Sequence, residues 1–156
     1  MKNFKQYLME LQDPIEFIKR ASERYGTKEI HGEFWEPAPL GKHIPLANFD
    51  DEKSQEVMDR LFSVRWDIGG VEGQKRLEKL KTFDINKLIP TQPYNYTGDE
   101  QILRAKMENQ DPAHISIVTH EGNDYIIDGH HSIMGARLRG DKTIVARHFN
   151  MDEHGE

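Results

Sequence analysis

Tyr125-Ile126-Ile127-Asp128-Gly129-His130-His131-Ser132-Ile133-Met134-Gly135-Ala136-Arg137-Leu138-Arg139-Gly140 is the stretch that decides the fold. A β-prone apolar run stops at Asp-Gly, then passes through a polar trio into helix-favouring residues that close on glycine. The pattern predicts a strand over 125–127, a helix from 131 to about 139 and a further strand over 143–146 in the same sheet. The first turn of a helix carries N–H groups with no intrahelical acceptor, and with the helix dipole these make an anion site.

On the N-terminal side, the β-prone runs 115–118 and 125–127 flank Glu121-Gly122-Asn123-Asp124 and predict a β-hairpin. Gly98-Asp99 precedes a short helix through Ile102, Leu103 and Met107. Residues 83–92 alternate apolar and polar before Pro90, as a strand running into a loop. The charged segment 71–80 predicts a helix with Leu77 and Leu80 on its buried side. Val57, Met58, Leu61, Phe62 and Arg65 mark another helix that ends near Trp66 and is broken by Gly69-Gly70. Residues 32–51, with Pro37, Pro39 and Pro45, read as a loop or short extended pieces. Phe4, Leu8 and Leu11 share a helical stripe, and Asp13-Pro14-Ile15-Glu16 caps a second helix that runs to Tyr25 and stops at Gly26. The organisation expected is a helical and loop N-terminal region (1–80), an α+β domain (81–150) and a frayed acidic tail (151–156).

Composition narrows the function classes. The 156-residue chain has no cysteine, so a disulfide framework, a thiolate nucleophile and a thiolate metal site are excluded. No apolar run approaches the ~18 residues that cross a bilayer, and the first residues lack a signal-peptide pattern, so a cytoplasmic protein away from membranes is expected. A net charge of −6 argues against indiscriminate coating of DNA. Between Asp128 and His148, however, four basic side chains (Arg137, Arg139, Lys142, Arg147) face two acidic ones (Asp128, Asp141). The anion-prone turn lies in the locally positive part of the chain.

The series Ile-x-x-Leu-Ile-Pro-x-Gln at 85–92, Tyr-Ile-Ile-Asp-Gly-His-His at 125–131 and Gly-Ala-Arg-Leu-Arg-Gly-Asp-Lys-Thr-Ile-Val-Ala at 135–146 resembles the ParB/sulfiredoxin superfamily. Within it, the chain resembles the ParB-like nuclease-type domains of phages and plasmids. The resemblance covers about the last 65 residues and implies a small mixed sheet with flanking helices, whose turn holds the phosphates of a nucleotide or nucleic acid. Ser132 stands where that superfamily usually carries an arginine, and a hydroxyl supplies neither the bidentate fork nor the fixed charge of a guanidinium. Sulfiredoxin's cysteine chemistry is excluded.

Each candidate residue has a structural reading beside the functional one. Asp128 either forms the turn through its own backbone hydrogen bonds or acts in catalysis, orienting a nucleophile or holding Mg²⁺ or Mn²⁺. Gly129 lets the backbone turn and approach phosphate. Adjacent side chains diverge, so His130 and His131 do not share one ion. A phosphate-facing histidine beside a packing or capping one is expected, with one of the pair serving as general acid or base. Ser132 caps the helix or touches phosphate. The resemblance adds Gln92 near a nucleotide, and Arg137 and Arg139 are candidates to replace the missing guanidinium. His31, His43, His114 and His120 lack metal-ligand spacing and read as ordinary surface or core residues.

Three functional classes follow. One is phosphate chemistry by a nuclease, nucleotide hydrolase or phosphotransferase acting on a nucleotide or nucleic acid, with a nucleoside triphosphate and a divalent metal as expected cofactors. The second is a non-catalytic, DNA-associated switch that answers to a nucleotide by changing its homo-oligomeric state. The third is a phage-type accessory or inhibitor protein that uses the fold as a scaffold for a host or phage protein partner. Fold alone does not choose among them.

Overall fold

The computed structural model describes residues 43–45, 49–96 and 100–154. Strand β1 (His43–Pro45) is followed by helix α1 (Asp51–Ile68), helix α2 (Gly70–Leu77), β2 (Lys79–Asp84), β3 (Ile89–Pro90), β4 (Tyr94–Tyr96) and α3 (Glu100–Glu108). The chain continues through β5 (Ser116–His120), β6 (Asn123–Asp128), α4 (His130–Leu138) and β7 (Thr143–Asn150). The helices expected before residue 26 lie outside the described residues.

Five strands form one mixed sheet in the order β2-β7-β5-β6-β3, and β1 pairs separately with β4. β5 runs antiparallel to β6 and parallel to β7, β2 is antiparallel to β7, and β3 is parallel to β6. The alternation of a strand sends neighbours to opposite faces, so the sheet has two cores. Ile117, Ile126, Ile144 and Ala146 meet Leu103 and Met107 of α3 and Ile133, Met134 and Leu138 of α4 on one side. Val118, Tyr125 and Phe149 meet Val57, Leu61 and Val64 of α1 on the other. The fold is α+β with helices on both faces of a mixed sheet.

The expected hairpin, the helix through Leu103 and Met107, and the strand-turn-helix at 125–138 are all present, each beginning or ending a few residues from the bounds read in sequence. Other expectations need correction. Helix α2 stops at Leu77, and the residues after it become edge strand β2, so Leu77 and Leu80 are exposed, while Gly73 and Gln74 are buried. Lys79 and Lys81 occupy this edge, where charge discourages pairing with another chain. The alternation from Phe83 does not run as one strand. Asp84 accepts the Asn86 N–H at 3.0 Å and turns the chain through one 3-10 turn over Ile85–Lys87. The division at residue 80 falls inside β2, and α1 packs on the sheet.

The start of the tail is not frayed. Met151 is buried, and the Asp152 carboxylate accepts the N–H groups of Glu121 (2.7 Å) and Gly122 (2.9 Å), while Arg60 Nη2 donates to the His154 carbonyl at 2.7 Å. On the opposite side of α1 from its core, Phe62 and Trp66 are 75% and 84% exposed.

Gly135 is where α4 crosses α3. A Cβ at this position would lie 2.3 Å from the Met107 carbonyl oxygen, a backbone atom that cannot step aside without moving the helix. Gly135→Ala is therefore expected to destabilise the fold by at least about 2 kcal/mol in urea titrations, the overpacking term exceeding the ~1 kcal/mol that alanine gains in a helix. A change under about 0.5 kcal/mol would show that the two helices are not packed as described.

Candidate functional site

β6 ends at Asp128, whose Oδ1 accepts the Gly129 N–H at 2.9 Å. Gly129 has φ 92°, which favours glycine, and a Cβ there would be crowded by the His114 carbonyl and Ile115 at 3.0 Å. The Ile133 N–H donates to the Gly129 carbonyl at 3.0 Å and closes the first helical turn of α4. The chain thus turns out of the sheet and into a helix within one residue.

The two histidines diverge as their spacing requires. His130 is buried, and its Nε2 accepts the Thr91 N–H at 3.1 Å, which places the ring proton on Nδ1. Thr91 is held from the other side by its hydroxyl, which donates to the Ile126 carbonyl. Burial, reinforced by the neighbouring His131, pushes the His130 pKa down to about 3. The ring is neutral at physiological pH and fastens the segment after β3 to the turn. His130 is thus the packing member of the expected pair. His131 is half-buried on the same first turn. Gln92, next to Thr91, is half-buried close to this latch.

Ser132 is not the cap, because the N-cap position belongs to Gly129. Its buried hydroxyl donates to the Lys106 carbonyl of α3 at 3.2 Å, and its own carbonyl accepts from Gln110 Nε2 at 3.0 Å. Arg137 lies seven residues along α4, roughly 10 Å from the turn, and donates to Asn86. Arg139 donates to the Met107 carbonyl at 3.3 Å and lies 3.6 Å from Asp141. Neither arginine substitutes for a guanidinium at position 132.

Asp128 faces the other side of the turn, where it lines a cleft of about 270 Å³ between the α1–α2 corner and the end of the sheet. Strand register explains the assembly: Asp128 pairs with Ser116, and Ser116 with Arg147, so three neighbouring strands set these residues in a row. The helices add Arg65, Gln74 and Lys75, and Glu78 follows α2. Three cations and two carboxylates therefore share the cleft.

Arg65 Nε donates to Gln74 Oε1 at 2.6 Å, and burial lowers the Arg65 pKa, with the Glu78 charge opposing that shift. An arginine stays cationic through such a shift. The Glu78 side chain is only 4% exposed and pairs through Oε1 with Arg147 Nη1 at 3.0 Å. Its Oε2 and the Arg147 Nε are buried with no hydrogen-bond partner, and a buried polar atom left unpaired is unfavourable by about 1–3 kcal/mol.

Arg65, Gln74, Lys75, Glu78, Ser116 and Arg147 were missed as site residues in sequence. The one available signal was Arg147, which the alternation of β7 puts on the same face as buried Phe149. A charge at an inward strand position implies a partner. No family model matches the chain, and no curated protein does.

The His130 latch yields a pH prediction. Its folded pKa, about 3, lies below the unfolded value of 6.5, so the unfolded chain binds the extra proton first. The stability contributed by the neutral ring is complete above pH 6.5 and is lost as pH falls toward 3, by up to about 1.4 kcal/mol per unit. His130→Gln keeps an acceptor for Thr91 without titrating, and its stability should fall less steeply across this window in denaturant titrations. Parallel slopes for the two proteins would contradict a buried, neutral His130.

Proposed function

We propose that the protein binds the phosphate of a nucleotide or nucleic acid beside the 128–131 turn and acts on it as a ParB-like hydrolase, nuclease or phosphotransferase. The observation that carries this reading is the cleft that Arg65, Lys75 and Arg147 line together with Asp128 and Glu78. The sequence resemblance to ParB-like nuclease-type domains supports it independently. Charge-assisted hydrogen bonds from arginine and lysine are the strong contacts to phosphate, and the helix N-terminus beside them favours negative charge.

In a hydrolysis, water attacks phosphorus and passes its proton to Asp128 while the bond to the leaving oxygen breaks. The cations offset the charge gathering on the non-bridging oxygens, which is the larger part of such catalysis. The leaving oxygen takes its proton from solvent, because neither histidine of the turn lines the cleft and His130 Nε2 faces Thr91. Magnesium and manganese commonly take one or two carboxylates plus substrate phosphates, so Asp128 would hold such an ion only together with a phosphorylated ligand. There the ion would add charge neutralisation.

A second reading, nucleotide binding without turnover and with a change of oligomeric state, needs only the cations of the cleft and no proton donor at His130, whose ring is buried against the Thr91 N–H.

Lys75→Gln, Arg147→Lys and Asp128→Asn separate the two readings. By calorimetry with pyrophosphate, nucleoside triphosphates and single-stranded DNA, Lys75→Gln should weaken binding about five-fold, near 1 kcal/mol, and binding should weaken further with added salt. Arg147→Lys, which keeps the charge but not the fork, should also weaken it. Asp128→Asn should bind at least as tightly as the wild type and lose about 10²–10⁴-fold in turnover. Tight binding with a change in mass and no turnover selects the switch; no binding of any of the three at millimolar concentration excludes both readings.

A further inference from the structure

His120 was expected to have an ordinary role, yet the fold gives it metal-ligand company. It ends β5 with a side chain 10% exposed, and its Nε2 points at two carboxylates from different parts of the chain: Glu56 Oε1 of α1 at 3.3 Å and Glu121 Oε1 of the hairpin turn at 3.8 Å. The ring nitrogen and one oxygen from each carboxylate all lie within 4.8 Å of one another. A tetrahedral zinc ion with bonds of ~2.0–2.2 Å sets its ligands roughly 3.3–3.5 Å apart. The His120–Glu56 separation already matches, and the exposed Glu121 carboxylate has only to close by about an ångström.

The backbone is prepared on the same side. Glu121 is the only non-glycine with positive φ (51°) among the described residues, and Asp152 fixes this turn by accepting the N–H groups of Glu121 and Gly122. Non-glycine residues held in this region concentrate at functional sites. Asp152 lies in the segment whose first residues pack on the core, so the turn is anchored from outside the hairpin.

The two carboxylates already share a cation. Lys53 Nζ lies 3.0 Å from Glu56 Oε2 and 2.8 Å from Glu121 Oε2, and its hydrogen bond is the main cause that lowers the Glu56 pKa. The ammonium uses the outer oxygens, while Oε1 of each carboxylate stays directed at His120. Lys53 thus holds the carboxylates together and also competes with a second cation by charge.

We propose that Glu56, His120 and Glu121 bind a borderline divalent transition metal of the zinc type, with the imidazole and two carboxylates as protein ligands and water completing the shell. One nitrogen and two carboxylate oxygens suit zinc better than magnesium or calcium, which take oxygen ligands alone. The site is at the Asn123 end of β6, and Asp128 and the cleft are at the other end, so the two proposals stand or fall separately.

Zinc titration of the chelator-treated full-length protein by calorimetry is the test. One equivalent should bind, and Glu121→Gln, on an exposed turn where folding is not at stake, should weaken it at least ten-fold. His120→Asn should weaken it about a hundred-fold, with an unchanged circular dichroism spectrum as the control. Lys53→Met should tighten binding at least three-fold, an outcome that a purely structural ion-pair network does not produce. On the NMR side, zinc should shift the His120 ring resonances first. Saturation at a site indifferent to His120→Asn and Glu121→Gln, or no binding up to millimolar zinc, overturns the proposal.

Discussion

Gly129 carries the chain from β6 into α4 at φ 92°, tightly packed against the His114 carbonyl and the flank of Ile115. That one corner sets the rest of the molecule. It sends α4 back across one face of the sheet, where Gly135 lets it lie directly on α3, and it leaves Asp128 at the strand end looking toward the opposite face. His130 then ties the corner to Thr91 and hence to the edge strand β3, with a ring kept neutral by burial. The turn is fixed from two sides, by packing at Gly129 and by the Thr91–His130 hydrogen bond.

The division of labour across the turn follows from side-chain direction. His130 and Ser132 serve packing on the α3 side, the ring at the corner and the hydroxyl on a carbonyl of α3. Asp128 alone reaches the cleft, where it meets cations supplied by α1, α2 and β7. On the proposed reading, phosphate would be held by Arg65, Lys75 and Arg147 rather than by the histidine pair. The Glu78–Arg147 ion pair ties the residue after α2 to β7.

What was legible in the sequence was local. The hairpin, α3 and the strand-turn-helix each announce themselves through a period change or a Gly-containing turn within a dozen residues. Leu77 and Leu80 misled because a charged edge strand and a charged helix share a composition; only pairing of Lys79–Asp84 with β7 decides between them. The tail looked frayed because nothing in Met151-Asp152-Glu153 shows that the Asp152 carboxylate meets two N–H groups of a distant hairpin. The cleft was hidden for the same reason: Arg65 and Asp128 are far apart in sequence, and only the register Asp128–Ser116–Arg147 assembles it. His120 and Glu56 meet through the packing of α1 on the sheet, which no spacing rule records.

A crystal structure of the protein grown with pyrophosphate decides whether the cleft beside Asp128 holds phosphate, as proposed. Phosphate density is expected within hydrogen-bonding distance of the Arg65, Lys75 and Arg147 side chains, adjoining Asp128. Density confined to surface lysines, or a cleft that stays filled by water at saturating pyrophosphate, would contradict it.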